Sequence, residues 1–334
     1  MTASWLNTKT KPLLLMAILL LCFLMALISG KYSLTLEELY RLFIQAPVDD
    51  PRSNTVFWQI RFPRVLAAIL IGGGLAIAGA AYQGMFRNPL VSPDILGVSA
   101  GAGVGAVLGI FLGQSLVSIQ LFAFVGGLIT VAVVYFIARL ARQHDPILSL
   151  VLVGVAVSAI CGSAISLMKI LADPYTQLPS ITFWLLGGLS SITQQDLWSV
   201  LPIMIVGFIP LLMLRWRMNL LSLSDEEAKS LGVNVTLNRT ILIVSATLIT
   251  ASTVSIAGII GWVGLIVPHI TRMIVGAHFR YQLPAAVAIG AILLLITDTL
   301  ARTIAAIELP LGILTSAVGA PFFLAILLQT RRVK

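Results

Sequence analysis

Asp298 and Arg302 stand four residues apart at the end of a long apolar run, and Glu308-Leu309-Pro310 opens the next one. Ionisable groups in such company are costly and either pair with one another or carry function. At helical spacing the two side chains can meet, so an intrahelical partnership that holds Arg302 in place is the plainest account of Asp298. His269 follows Pro268 and precedes Arg272, and with His144 and His278 it completes the histidines of the chain. Three scattered imidazoles do not outline a metal channel. No G-x-x-x-x-G-K-[S/T] string occurs; Gly30-Lys31 lacks both the earlier glycine and the following hydroxyl, so the chain has no means of hydrolysing ATP alone. Nor do the apolar runs contain the paired acidic residues that a proton- or sodium-coupled carrier uses.

The elements that must hold these groups are membrane helices. Of 334 residues 58% are hydrophobic and 10% charged, with a mean hydropathy of +1.02. Apolar stretches near 13–30, 65–84, 95–113, 118–138, 147–168, 197–214, 240–258, 259–276, 284–301 and 310–328 each approach the roughly 20 residues a bilayer core requires. The expected fold is therefore an all-α polytopic membrane protein of about ten transmembrane helices, a single domain over 1–334. With the N-terminus inside, Lys31, Arg41, Arg52, Arg61, Arg64, Lys169 and Arg302 fall at outer ends and the remaining 14 of the 21 Lys and Arg fall inside. That bias satisfies the positive-inside rule and places both termini in the cytoplasm. The net charge of +8 is thus a topology signal and no sign of nucleic-acid affinity. Cys22 and Cys161 lie within spans as small hydrophobes, with neither metal site nor disulfide implied. The N-terminal run of basic and apolar residues is too long for a signal peptide and is taken as the first span.

Between the spans, the outer loop 31–64 carries a capping box, Thr35 with Glu38, that starts a surface helix with Leu39, Leu42 and Phe43 on one side. Segment 177–192 is apolar but too short to cross, and is expected as a short helix at the outer surface with Trp184 at the interface. In the inner loop 215–239, Ser224-Asp225-Glu226-Glu227 is a second capping box, Asp225 and Lys229 form an i,i+4 pair, and Gly232 is placed to stop the helix. A short charged helix there is either a docking surface or a solvated linker. Gly97, Gly101, Gly105 and Gly109 make a ridge without side chains along the third span, the pattern that lets helix backbones approach closely in lipid.

Taken in order, Arg61-Phe62-Pro63-Arg64, Gln83 with Arg87-Asn88-Pro89-Leu90 and Pro93, Leu96-Gly97-Val98-Ser99, Leu231-Gly232-Val233, Gly264-Leu265-Ile266-Val267-Pro268-His269 with Arg272, Asp298, Arg302, Glu308-Leu309-Pro310 and Gly319-Ala320-Pro321-Phe322 resemble the permease subunit of the iron-chelate and vitamin B12 class of ABC importers, the FecCD type. The resemblance runs nearly end to end, and its ten spans per subunit agree with the hydropathy count.

The resemblance implies a homodimer working by alternating access in the cell (inner) membrane, beside two ATPase subunits that hold ATP and Mg2+ and a soluble or lipid-anchored substrate-binding protein. This chain would itself bind no cofactor and no metal. Short coupling helices carrying Ser224, Asp225, Glu226, Glu227, Leu231, Gly232 and Val233 would seat in the ATPase. Arg61, Arg64 and Arg302, exposed at the outer face, would meet acidic residues of the binding protein; for Arg61 and Arg64 the alternative is snorkelling to lipid headgroups. The path would run between two copies past Ser158, Ser163 and Ser166, with a gate at Asp145, Pro146 and Ile147, a stretch that departs from the hydroxyl-rich version of the vitamin B12 permease. Ferric siderophore leads as substrate class; haem, cobalamin and molybdate or tungstate share this permease type. A stand-alone secondary carrier or channel is the alternative of a different class.

Overall fold

The computed structural model describes residues 10–48, 50–141 and 146–330, and among them all regular structure is helical. In chain order the helices are α1 (Thr10–Ile28), α2 (Leu36–Phe43), α3 (Pro51–Thr55), α4 (Phe62–Met85), α5 (Val98–Phe111), α6 (Leu116–Leu140), α7 (Pro146–Leu171) and α8 (Gln177–Leu186), followed by α9 (Gln194–Leu214), α10 (Arg217–Leu221), α11 (Asp225–Ser230), α12 (Val235–Ala257), α13 (Val263–Val275), α14 (Phe279–Thr303) and α15 (Leu311–Thr330). Each of the ten apolar stretches is centred on one of these helices. Seven helices have the length and composition to cross a membrane, counting Pro51–Met85 as one, while α5, α13 and the Leu311–Ile326 part of α15 are shorter apolar helices.

Two of the short ones are cut by glycine. The expected third span breaks at Gly97, whose φ of +78° separates the turn Pro93–Leu96 from α5. The expected eighth span loses its first four residues to an irregular link that starts at Gly258, φ +67°. That backbone is not left unpaired. Gly188 N–H donates to the Ala257 carbonyl at 2.8 Å and Leu311 N–H to the Gly187 carbonyl at 2.9 Å, so the ends of α8, α12 and α15 satisfy one another where lipid could not.

The second span starts earlier than hydropathy suggests. Asp50 caps it by accepting from Arg52 N–H at 2.9 Å, and Pro51 takes the first turn, where its missing N–H costs nothing. Pro63 then falls inside a continuous helix. The turn before it widens into a π-helical stretch, Val56–Arg61, closed by Phe62 N–H on the Phe57 carbonyl, which accommodates a residue unable to donate.

α4 is the buried centre of the molecule, enclosed by α12, α13 and α14. Its glycines make this possible. A Cβ on Gly72 would collide with the Gly290 carbonyl, and one on Gly290 with the Gly72 carbonyl, while a Cβ on Gly79 would strike the Gly264 carbonyl. The α5 ridge packs on α6 in the same way: a Cβ at Gly101 would strike Thr130, and one at Gly105 the Phe122 carbonyl. Gly97 abuts Ser158 and Thr130, and Gly109 lies against Ile119. Three buried hydroxyls of α12 bond to their own helix, Thr250 to the Ala246 carbonyl, Thr253 to that of Thr250 and Ser255 to that of Ser252. α1 and α7 lie at the periphery with most of their surface uncovered.

Candidate functional site: a capped surface helix and a buried charge cluster

At the end of the molecule expected to face the cytoplasm, α11 is built as its sequence dictates. Ser224 Oγ accepts from Glu227 N–H, and the Glu227 carboxylate accepts from Ser224 N–H at 2.9 Å, a reciprocal cap. Those hydrogen bonds from the Ser224 hydroxyl and N–H hold the Glu227 carboxyl below its ordinary range. Gly232 stops the helix at φ +80°, where a Cβ would be strained.

The expected pairing of Asp225 with Lys229 gives way to a different one. Asp225 Oδ1 accepts from Arg87 Nη2 at 2.5 Å and from Arg239 Nη2 at 2.7 Å, and Oδ2 accepts from Arg239 Nη1 at 2.8 Å. Two guanidiniums, one bidentate, outcompete one flexible ammonium. Burial alone would raise the Asp225 carboxyl, but the hydrogen bonds and charges of Arg239 and Arg87 outweigh it and hold the group below the usual carboxylate range. Arg87 reaches this position because it takes the left-handed slot, φ +50°, that ends α4; its Nε also donates to the Leu221 carbonyl at 3.2 Å.

The seven residues of the loop thus divide. Asp225 and Val233 face the protein, whereas Ser224, Glu226, Glu227, Leu231 and Gly232 are exposed, Leu231 at 58%. Leu223 and Trp216 add exposed apolar surface beside them. Exposed charges of both signs, Glu226 and Glu227 with Lys229 and Arg217, thus surround uncovered apolar side chains, a composition that suits contact with another protein.

At the outer end, the expectation of three exposed arginines is corrected. Arg61, Arg64 and Arg302 are 4%, 5% and 6% exposed. Asp298 is the reason for one of them. Arg64 Nε lies 2.9 Å from Asp298 Oδ1 and 3.2 Å from Oδ2, its Nη2 2.9 Å from Oδ1, and its Nη1 2.9 Å from Glu308 Oε2. Arg302 Nε stands 3.3 Å from Asp298 Oδ2, the expected intrahelical pair, here shared with a second helix. The last carbonyls of α1 occupy the rest. Arg61 donates to the carbonyls of Leu27 at 2.9 Å, Ile28 at 3.0 Å and Tyr32, and Arg302 to those of Ala26 at 2.9 Å and Ser29 at 3.0 Å. A helix C-terminus in a water-poor setting needs such donors, and cations suit its dipole.

Glu308 is the exposed member of this cluster and, with Arg64, borders an outer cavity of about 540 Å3. Gln120, Trp184, Ser190 and Ser255 also line it. Below the same loop, Thr35 and Glu38 form the expected capping box, α2 buries Leu39 and Leu42, and Phe43, Phe57, Trp58 and Phe62 stack edge-on with centroids 4.8–6.4 Å apart.

The hydroxyls assigned to the path are all on α7. Ser158 is half-buried near Gly97, while Ser163 and Ser166 are exposed and bond to the carbonyls of Ala159 at 3.0 Å and Gly162 at 2.9 Å. Pro146 and Ile147 open α7; Asp145 lies outside the described residues. Among the described residues no group of three or more His, Cys, Asp or Glu is arranged to hold a metal ion.

The sequence profile of the FecCD transport family matches residues 18–329. The molybdate import system permease protein MolB of Haemophilus influenzae is 38% identical over 328 residues, 96% of this chain and 97% of that protein. An iron chelatin transport system permease protein of Helicobacter pylori is 40% identical over 280 residues, 84% of each. A solved structure of a metal-chelate type ABC transporter in an inward-facing conformation superposes with a TM-score of 0.83 at 36% identity, covering 97% of this chain and all of the other.

Proposed function

The chain belongs to the FecCD transport family and is an ABC importer permease of the metal-chelate type, and we propose that it forms, with a second copy, the path through which a metal chelate enters the cell. Ten helices cross the membrane, with α5, α13 and α15 completing the seven long ones, and both termini face the cytoplasm. Two ATPase subunits carry ATP and Mg2+. A substrate-binding protein delivers the chelate to the outer face.

The observation that carries this reading is α11. A six-residue helix, capped at both ends, presents Glu226, Glu227 and Leu231 outward while Asp225 ties it to the end of α4 and the start of α12. Such a piece can be pushed by a partner and can move two long helices. α7, whose surface is largely uncovered in the single chain, supplies the wall facing the second copy, with Ser158, Ser163 and Ser166 toward the path and Pro146 and Ile147 near its inner gate. At the outer face, Arg61, Arg64 and Arg302 act as the frame on which the binding protein docks; their guanidiniums are engaged internally, so Glu308 and the loop 31–64 offer the surface.

Ferric siderophore is the favoured cargo. The iron chelatin permease among the relatives supports this choice. The molybdate relative makes an oxyanion the second reading. Proteoliposomes containing this chain, its ATPase and its binding protein decide between them. ATP-dependent uptake of radioiron-labelled siderophore, without competition from molybdate, is the expected result. Uptake by this chain alone without ATP would replace the reading with a secondary carrier.

A further inference from the structure

At the inner end of the molecule, where α4 stops and α13 turns into α14, lies a second cavity of about 330 Å3, open to the surface and lined by Gln83, Arg87, Asn88, Asn219, Arg272 and Gln282 among others. None of its lining residues is Asp or Glu. Arg272 is held there without a carboxylate: its Nη1 donates to Gln83 Oε1 at 2.7 Å, and Gln83 Nε2 donates in turn to the Leu265 carbonyl at 3.0 Å. The other terminal nitrogen, Nη2, is buried and has no partner among the described residues. Gln282 is fully buried; its Nε2 lies 3.5 Å from the Pro268 carbonyl and its Oε1 is likewise unpartnered.

A buried guanidinium N–H and a buried amide oxygen left unmatched are each unfavourable, and together they specify what would match them. The ligand must accept from a cation and donate to a neutral oxygen. Asn219 does not compete, because its Oδ1 accepts from Phe279 N–H and its Nδ2 donates to the carbonyls of Arg215 and Trp216. Arg87 adds a second positive wall, with its charge shared with Asp225.

We propose that this cavity binds a phosphate group bearing a hydrogen-bond donor, held by Arg272 and Arg87 through its oxygens and by Gln282 Oε1 through its donor. Its position at the inner ends of α4, α13 and α14 sets it at the level of the cytoplasmic headgroups. Basic pockets between helices at that depth take anionic lipid heads. The phosphate of phosphatidylglycerol, with its adjacent hydroxyls, has the required chemistry, and so does free hydrogen phosphate.

Native mass spectrometry of the detergent-purified chain titrated with phosphatidylglycerol or phosphatidylcholine separates the sources, since the second lipid has a phosphate but no donor. At least a tenfold preference for phosphatidylglycerol, abolished by Arg272→Gln and weakened by Gln282→Leu, is the expected result and identifies a lipid head. A rise in melting temperature with millimolar inorganic phosphate in lipid-free detergent, lost in the same variants, supports the site with free phosphate as ligand. Should Arg272→Gln not fold, Ser222→Phe at the exposed rim blocks the cavity while leaving both buried groups intact, and must remove binding as well. Equal retention of the two lipids with no phosphate effect, or binding that survives the blocking variants, overturns the proposal.

Discussion

Asp225 and Arg239 meet in parallel, each carboxylate oxygen taking one guanidinium nitrogen, at 2.8 and 2.7 Å, across 14 residues of sequence that include the end of α11 and the start of α12. Arg87 approaches the same carboxylate from the end of α4. The one acidic side chain of α11 turned toward the protein is therefore the joint between a surface helix and two long ones. Its neighbours Glu226 and Glu227 are exposed.

On the proposed function, this geometry separates binding from transmission. Asp225→Asn is expected to leave ATPase co-purification intact, to lower ATP-driven uptake several-fold, and to cost on the order of 1 kcal/mol in stability, since the pair is partly solvated. Glu226→Arg is expected to reduce co-purification itself. If Asp225→Asn lost the ATPase as completely as Glu226→Arg does, the joint and the docking face would be one thing.

The outer cluster ranks its members by burial. Asp298→Asn leaves Arg64 and Arg302 without their buried counter-charge, and removal of one partner from a buried pair costs about 3–5 kcal/mol. Glu308→Gln, at a side chain 40% exposed, is expected to cost under about 1 kcal/mol. Thermal unfolding in detergent reads both. Arg302→Glu falls with Asp298→Asn, because it also uncaps α1, and its effect should not fade at high salt as a rim contact would. Comparable melting temperatures for the two carboxylate variants would show that burial does not set the order.

The ridge of α5 gives an internal comparison. Gly101→Leu and Gly105→Leu drive side chains into Thr130 and the Phe122 carbonyl and should abolish recovery of folded protein. Gly162→Leu on α7 meets nothing within 4 Å in the single chain and should still yield folded protein, its effect confined to pairing with the second copy. Fluorescence-detected size exclusion distinguishes them; equal yields for the three would place the ridge against lipid.

What was legible from sequence follows from range. The ten apolar stretches, both capping boxes, the Gly232 stop and the Asp298–Arg302 spacing are written in residues a few positions apart. The start of the second span was legible too, in Asp50-Pro51, a cap followed by a first-turn proline, but the charges of segment 31–64 disguised it as loop. The tertiary pairings were not. Arg64 finds Asp298 234 residues away and Arg87 finds Asp225 138 residues away, and nothing local distinguishes such an arginine from one exposed to solvent. Hence the outer arginines were expected on the surface and Asp225 beside Lys229. The breaks at Gly97 and Gly258 escaped because a run of apolar residues reads the same whether or not a glycine within it turns left-handed.

The outer-loop cap offers a pH handle. Hydrogen bonds from Thr35 N–H and its hydroxyl hold the Glu38 carboxyl below its ordinary value. A depressed carboxyl contributes stability above its unfolded-state pKa and loses it as pH falls through the native one. The protection factors of the α2 amides, that is, exchange rates corrected for the intrinsic pH dependence of amide exchange, are therefore expected to fall on acidification in the wild type and to be flat over that window in Glu38→Gln. Parallel profiles for the two proteins would remove Glu38 from the account.

The clasp on α1 sets an order of manufacture. α1 leaves the ribosome long before α14, yet the carbonyl of Ala26 in its last turn and that of Ser29 just beyond it await Arg302, 276 and 273 residues downstream. At the usual pace of translation that is a wait of roughly fifteen seconds to a minute. Throughout it the helix sits in the bilayer with one end only half secured by Arg61, and it is locked when α14 arrives carrying the second guanidinium. Closure of this end is thus among the last events of synthesis, and a chain truncated before α14 is born with α1 held by Arg61 alone.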